Sequence, residues 1–220
     1  RVTDLLTGTL NVPAERVLEI PGAADEICLS TPIPETESRP RRFVFVGRYE
    51  RRKGLQELAS VLHTTGIANN EFHLVGPIPD SILRRFPEFV QYHGCISDRK
   101  DLIALLDTMD VVVCPSWSEG MPNVIMEAMA RQCAVVATDV GAVRCLVDER
   151  TGWLIPARSR LALETVLLDA MNAEQSRVAQ MQVAARNRIA AEYSWDSITR
   201  STMNCFQAIL NTSLKDRHSK

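Results

Sequence analysis

From residue 43 onward two rhythms alternate, and that alternation limits the possible folds more than any other feature. Short apolar runs at 43–46, 72–75, 90–92, 111–114, 135–137 and 153–155 have the length and β-branched or aromatic content of strands. Helical patterns separate them at 54–64, 81–86, 100–108, 124–131 and 143–147. A strand, a helix and a further strand in succession give parallel pairing, and a parallel sheet is stable only with both faces covered. The expected fold class is therefore α/β: a Rossmann-like, doubly wound parallel sheet with helices on both faces, spanning 43–192. Residues 161–210 read as helical, broken near 172–174 and 193–196, so that 193–220 forms a C-terminal extension. Residues 1–20 read as a short helix followed by a strand at 16–20. The stretch 21–42, rich in Pro, Glu, Ser and Thr, reads as a linker or irregular connection.

The stretch 111–130, VVVCPSWSEGMPNVIMEAMA, carries the densest chemistry. An apolar strand ends at Pro115, a loop follows, and Pro122 and Asn123 favour the first positions of a helix. Glu119 lies in that loop and Glu127 about one turn inside the helix. Both carboxylates thus flank a helix N-terminus at the carboxyl end of a strand, where open α/β sheets bind ligands. Free N–H groups and the helix dipole attract a phosphate there, and a nearby carboxylate can accept hydrogen bonds from sugar hydroxyls. Taken alone, the glutamates read more readily as ordinary capping and solvation.

A second cluster follows the first strand. Gly47 permits a sharp turn and close approach to a ligand, and Arg48 and Lys53 come next, at the same sheet edge as Glu119. Arginine with its planar fork and lysine as a point charge suit a diphosphate. Arg51 and Arg52 read as decoration of a solvated helix start. The loop lacks Walker A spacing, and no G-x-G-x-x-G follows any strand, which disfavours a dinucleotide. Gly76 closes the next strand. Gly94 to Ile96 form either a slot for a flat base or a routine turn, and His93 reads as structural. Gly141 marks one more tight turn before a helix, and Trp117 and Trp153 read as packing residues.

Composition narrows the partners. The 220 residues carry a formal net charge of -2, which argues against nucleic acid. No apolar run approaches a transmembrane length, and no signal peptide is expected. The six cysteines (Cys28, Cys95, Cys114, Cys133, Cys145, Cys205) never form C-x-x-C, and most are expected as reduced thiols in apolar surroundings. The four histidines are equally dispersed, so no metal site is expected. Arg1 at the start points to a processed chain or a fragment.

With these residues in view, GRYERRKG, SEGMPNVIMEAMA, VVATDVGAV and TGWLIP together resemble the donor-binding, C-terminal domain of retaining GT-B glycosyltransferases of the group-1 or family-four type. The likeness runs from about Val17 to the C-terminus, and the two glutamates with seven residues between them carry it. It implies that Arg48 and Lys53 hold the donor diphosphate, Glu127 the ribose hydroxyls, and Glu119, the catalytic candidate, the transferred sugar. The backbone of Gly120, Met121, Pro122 and Asn123 would contact sugar and phosphate, with Gly47, Gly76 and Ile96 completing the donor site. No metal or other cofactor is implied, the nucleoside-diphosphate sugar being the substrate. The base (UDP, GDP or ADP), the sugar and the acceptor stay open. Residues 1–20 resemble the tail end of an absent N-terminal acceptor domain, and the helix beginning near Trp195 resembles one that crosses back onto it.

Departures from the family pattern fall at Ile20-Pro21-Gly22-Ala23, at Gln132 and Ala134, at Cys145, and after Gly76. None touches the carboxylate pair or the cation pair. The expected function is that of the donor-binding half of a hexosyltransferase, inactive alone. Expected partners are a nucleotide sugar, the absent N-terminal domain and an acceptor glycan, lipid or small molecule. The expected location is cytoplasmic, with peripheral association at the inner membrane face left open. The alternatives are a non-enzymatic nucleotide-sugar-binding regulatory module and, further off, a dinucleotide oxidoreductase.

Overall fold

The computed structural model describes residues 3, 5–34, 39–67 and 69–218. Six strands form one sheet in the order β3-β2-β1-β4-β5-β6, every neighbouring pair parallel. They are β1 (Arg42–Val46), β2 (Glu71–Val75), β3 (Val90–Tyr92), β4 (Val111–Cys114), β5 (Ala134–Thr138) and β6 (Gly152–Ile155). The expected doubly wound, Rossmann-like α/β fold is present. Every residue of β4 and β5 is buried. This is why these strands read as unbroken apolar runs, since both faces are covered. Alternate side chains feed two cores: Phe43, Phe45, Val111 and Val113 go to one face, Val44, Val112 and Cys114 to the other. Each such buried side chain contributes about 1.5–3 kcal/mol of hydrophobic stabilisation.

Among the described residues nine α-helices surround the sheet: α1 (Glu26–Ser30), α2 (Leu55–Thr65), α3 (Asp80–Leu83), α4 (Arg99–Leu106), α5 (Asn123–Ala130), α6 (Val143–Leu146), α7 (Arg160–Asn172), α8 (Gln175–Glu192) and α9 (Trp195–His218). On one face α2 packs on α7 through Leu58, Leu62, Leu163 and Leu167. On the other, α5 packs on α8 through Ile125, Met129, Ala185 and Ile189. The breaks between α7, α8 and α9 fall where the sequence places them.

Two expectations fail. No strand forms at 16–20; the described N-terminal part carries only a π-helical turn (Leu5–Thr9) and a 3-10 turn (Ala14–Arg16). A strand needs a partner for its backbone groups, and residues 16–20 pair with none of the six strands, with Leu18 and Ile20 left half-exposed. The stretch 21–42 is also less irregular than expected. Asp25 caps α1 by accepting from the Ile27 N–H at 3.2 Å, and α1 docks on α5.

Arg131 holds that docked segment from beneath. Its guanidinium donates to Asp107 Oδ1 (2.6 Å) and to the carbonyls of Cys28 (3.0 Å), Thr31 (2.7 Å) and Pro32 (2.9 Å), with its side chain 0% exposed. Arg186 adds a bond to the Leu29 carbonyl at 2.9 Å. His93 Nε2 lies 2.9 Å from His73 Nδ1. Burial, and then His93, hold the His73 imidazole below its ordinary value.

Of the cysteines, only Cys28, Cys114 and Cys133 are buried; Cys95 is exposed, Cys145 and Cys205 partly so, and all six are free thiols. The expectation of mostly apolar surroundings holds for half of them, because 95, 145 and 205 fall on a loop or on outer helix positions. Among the described residues no helix is long and apolar enough to cross a membrane.

Candidate functional site

The strand order reverses once, between β1 and β4. Two loops leave the sheet side by side at the carboxyl ends of these strands, which is where a doubly wound sheet opens a crevice. The loop after β1 runs from Gly47 to Gly54 and the loop after β4 from Pro115 to Pro122. Their backbones meet, the Trp117 N–H donating to the Arg52 carbonyl at 2.6 Å.

Charge knits them further. Lys53 Nζ donates to Glu119 Oε1 at 2.6 Å, with the Lys53 side chain 17% and that of Glu119 7% exposed. Arg52 donates to the Ser118 carbonyl (2.9 Å) and lies 3.4 Å from Glu119 Oε2. Arg52 therefore belongs to the site and is not mere decoration: its fork reaches across the crevice into the glutamate loop. Glu119 does not face outward from its loop, because the two cations draw it in. Arg48 takes a different partner from Lys53. It is 74% exposed and pairs with Glu50 at 2.7 Å, while Arg52 takes the other Glu50 oxygen at 2.7 Å. Desolvation would raise the Glu50 carboxyl, but Arg52 and Arg48 outweigh it and hold the group below the usual carboxylate range. Arg51 pairs with Glu57 and lies over the Trp117 ring at 3.9 Å, so Trp117 also supports a cation.

Two glycines make this packing possible. Gly76 adopts φ +127° at the end of β2, where an added Cβ would collide with the Gly47 carbonyl, so these loop ends pack backbone on backbone. Gly141 adopts φ +57°, and its Cβ would strike the carbonyls of Glu119 and Gly120. The neighbouring Ala142 N–H donates to the Gly120 carbonyl at 2.8 Å. The turn after β5 thus fixes the backbone that presents Glu119.

Helix α5 starts at Asn123 with Pro122 as its cap and no side-chain bond to the first turn. Its first N–H groups and positive dipole end therefore point to the open edge. Glu127, one turn in, belongs to a different group of residues from Glu119. Its Oε1 accepts from Arg99 Nη1 at 2.9 Å, and Arg99 Nη2 donates to Asp25 Oδ2 at 2.6 Å. A cleft of about 470 Å³ opens beside them, bordered also by Asn123, Met126 and Trp195. Met121 and Ile96 rest partly buried on the core beneath. Among the described residues no group of three or more His, Cys, Asp or Glu could hold a metal ion.

With the crevice and its charges established, comparison with known proteins decides the family. Residues 40–174 match the family described as Glycosyl transferases group 1. The chain belongs to this family. It is 30% identical over 183 residues to the alpha-maltose-1-phosphate synthase of Mycolicibacterium smegmatis, which covers 75% of the chain and 47% of that enzyme. The fold of a glycosyltransferase from Rickettsia africae superposes with a TM-score of 0.77 at 20% identity, over 95% of this chain and 61% of the other. An Anabaena protein, HepE, in complex with UDP superposes with a TM-score of 0.67 at 19% identity, over 77% and 49%. The chain spans about half the length of the curated relatives it matches.

In this chain the structure brings Gly47 against Gly76, Lys53 against Glu119, and Gly120 against the turn at Gly141, with Pro122 capping α5 and Asn123 and Glu127 on it. Arg48 and Lys53 pair with different carboxylates, Glu50 and Glu119. The residues missed by sequence reading are Arg52, Arg99 and Asp25. Arg99 had a signal: it is the first residue of α4, where a cation opposes the helix dipole. A charge placed against the dipole marks another partner, here two carboxylates.

Proposed function

We propose that this chain is the donor-binding half of a glycosyltransferase that moves a hexose-type sugar from a nucleoside-diphosphate sugar to an acceptor with retention of configuration. The observation that carries the reading is the convergence, at one topological switch point, of Lys53 on Glu119, of the α5 N-terminus, and of Glu127 at the edge of an open cleft. The UDP bound to the Anabaena protein of like fold supports a nucleoside diphosphate as the ligand class.

In this reading the diphosphate lies against the α5 N-terminus, with Arg48 and Lys53 beside it. Lys53 has three donors and can keep Glu119 while reaching a phosphate oxygen. Glu127 accepts from the ribose hydroxyls and Glu119 from the transferred sugar. When the bond from the anomeric carbon to the diphosphate breaks, its electron pair stays on the phosphate oxygen, where the cations and helix dipole stabilise the charge. The acceptor hydroxyl forms the new glycosidic bond, and its proton passes to the departing phosphate. These cations supply positive charge that a metal provides elsewhere, so no metal is required. An N-terminal domain of the same polypeptide supplies the acceptor site, and the isolated chain binds donor without turnover. The whole enzyme works in the cytoplasm, with an acceptor that is a glycan, a lipid or a small molecule.

Titration calorimetry of the chain with UDP, GDP and ADP in the presence of a chelator tests the reading. At least one of the three should bind in chelator with unchanged affinity when Mg²⁺ is restored. Binding that appears only with Mg²⁺ or Mn²⁺ would contradict it.

A further inference from the structure

Glu127 stands in the middle of a chain of contacts that reaches well beyond the cleft. Asp25 Oδ1 accepts from the Ile27 N–H as the cap of α1, and its Oδ2 accepts from Arg99 Nη2 at 2.6 Å. The other nitrogen of the same guanidinium, Nη1, donates to Glu127 Oε1 at 2.9 Å. Three segments meet at Arg99: the stretch leading out of residues 20–24, the start of α4 just after Ile96, and the α5 helix that carries Glu127. All of them border the same cleft.

The geometry leaves Glu127 half used. Its carboxylate has about four acceptor sites, and Arg99 occupies one oxygen only. Oε2 makes no hydrogen bond among the described residues and is free for a ligand. A free glutamate on a helix samples several rotamers, and fixing it when a ligand arrives costs affinity. Arg99 restricts that freedom beforehand, because its planar fork is shared between Glu127 Oε1 and Asp25 Oδ2, although Arg99 and Asp25 are each 43% exposed. Asp25 is held in turn by its capping bond.

We propose that Arg99 is a positioning residue for nucleotide binding: it holds Glu127 in the orientation that receives the ribose hydroxyls, with Asp25 as its anchor. This rests on the assignment of Glu127 to the ribose. The network is not a competitor for the ligand, since it engages Oε1 and leaves Oε2 open.

The test is calorimetry of the chain with whichever of UDP, GDP and ADP binds most tightly, and with the 2′,3′-dideoxy form of that nucleotide. Arg99→Met should weaken the ribonucleotide roughly tenfold, the scale of one charge-assisted hydrogen bond, and the dideoxy form less than twofold. In a Glu127→Gln background, Arg99→Met should add less than a twofold further loss, because there is no carboxylate left to position. A merely structural role for Arg99 would weaken both nucleotides equally and would survive in the Glu127→Gln background; either result overturns the proposal. If Glu127→Gln weakens the ribonucleotide while Arg99→Met does not, Arg99 is not a positioning residue and the ribose assignment stands. If Glu127→Gln has no effect, or none of the three nucleotides binds the unsubstituted chain, the ribose assignment fails and the proposal with it.

Discussion

Replacing Arg131 with methionine should destabilise the fold by about 3–5 kcal/mol, the scale for removing one partner of a buried ion pair. Methionine fills much of the same volume, so the loss reflects charge and hydrogen bonds more than a cavity. Asp107 would lose its guanidinium partner, and the carbonyls of Cys28, Thr31 and Pro32 would lose their donor together. Each buried acceptor left unpaired adds its own desolvation cost. Urea titration of the chain and its Arg131→Met variant reads the difference at constant slope. A change below about 1 kcal/mol would mean that apolar contact and the Arg186 bond hold the 28–32 segment without Arg131. The same substitution should loosen α1 and with it Asp25, the anchor of the Glu127 network.

The second large effect separates the two cations of the site. Lys53→Met should cost both stability and diphosphate affinity, whereas Arg48→Ala should cost affinity alone. The difference follows from burial. Lys53 holds a glutamate whose side chain is 7% exposed, and without it Glu119 keeps, among the described residues, only Arg52 at 3.4 Å as a cation partner. A loss of about 1.5–3 kcal/mol in unfolding free energy is expected, as for a hydrogen bond to a charged group. Arg48 is exposed and paired with Glu50 at the surface, where such pairs contribute about 0–1 kcal/mol. Its removal should leave the melting temperature nearly unchanged yet lower affinity for the nucleoside diphosphate about tenfold or more, with little effect on the nucleoside. Equal destabilisation by both substitutions would contradict the placement of Lys53 as the inner cation. Equal losses for nucleoside and diphosphate at Arg48 would remove it from the phosphate site.

The sheet was legible because its central strands are covered on both faces, so that 111–114 and 135–137 are continuous apolar runs. The strand expected at 16–20 failed for a reason local pattern does not carry: whether an apolar stretch finds an edge to pair with is a tertiary fact. The glutamates were legible from their spacing around Pro122 and Asn123. Their surroundings were not. Nothing in GRYERRKG distinguishes Lys53, turned in to Glu119, from Arg48, turned out to Glu50; the 3-10 turn Arg51–Lys53 and its contact with the loop after β4 decide it. Arg99 and Asp25 lie 74 residues apart in sequence and meet only because α1 folds back onto α5.

The most direct measurement compares Glu127→Gln and Glu119→Gln by titration calorimetry, each with the nucleoside diphosphate and with the intact nucleotide sugar. Replacing a charged acceptor with a neutral amide weakens hydrogen bonds to hydroxyls wherever the acceptor is in contact with them. Glu127→Gln should weaken both ligands, since both carry the ribose. Glu119→Gln should leave the nucleoside diphosphate within about twofold and weaken only the nucleotide sugar, by roughly tenfold. Glu119 losing affinity equally for both ligands, or neither variant losing affinity for either, would contradict a site in which one carboxylate holds the ribose and the other the sugar.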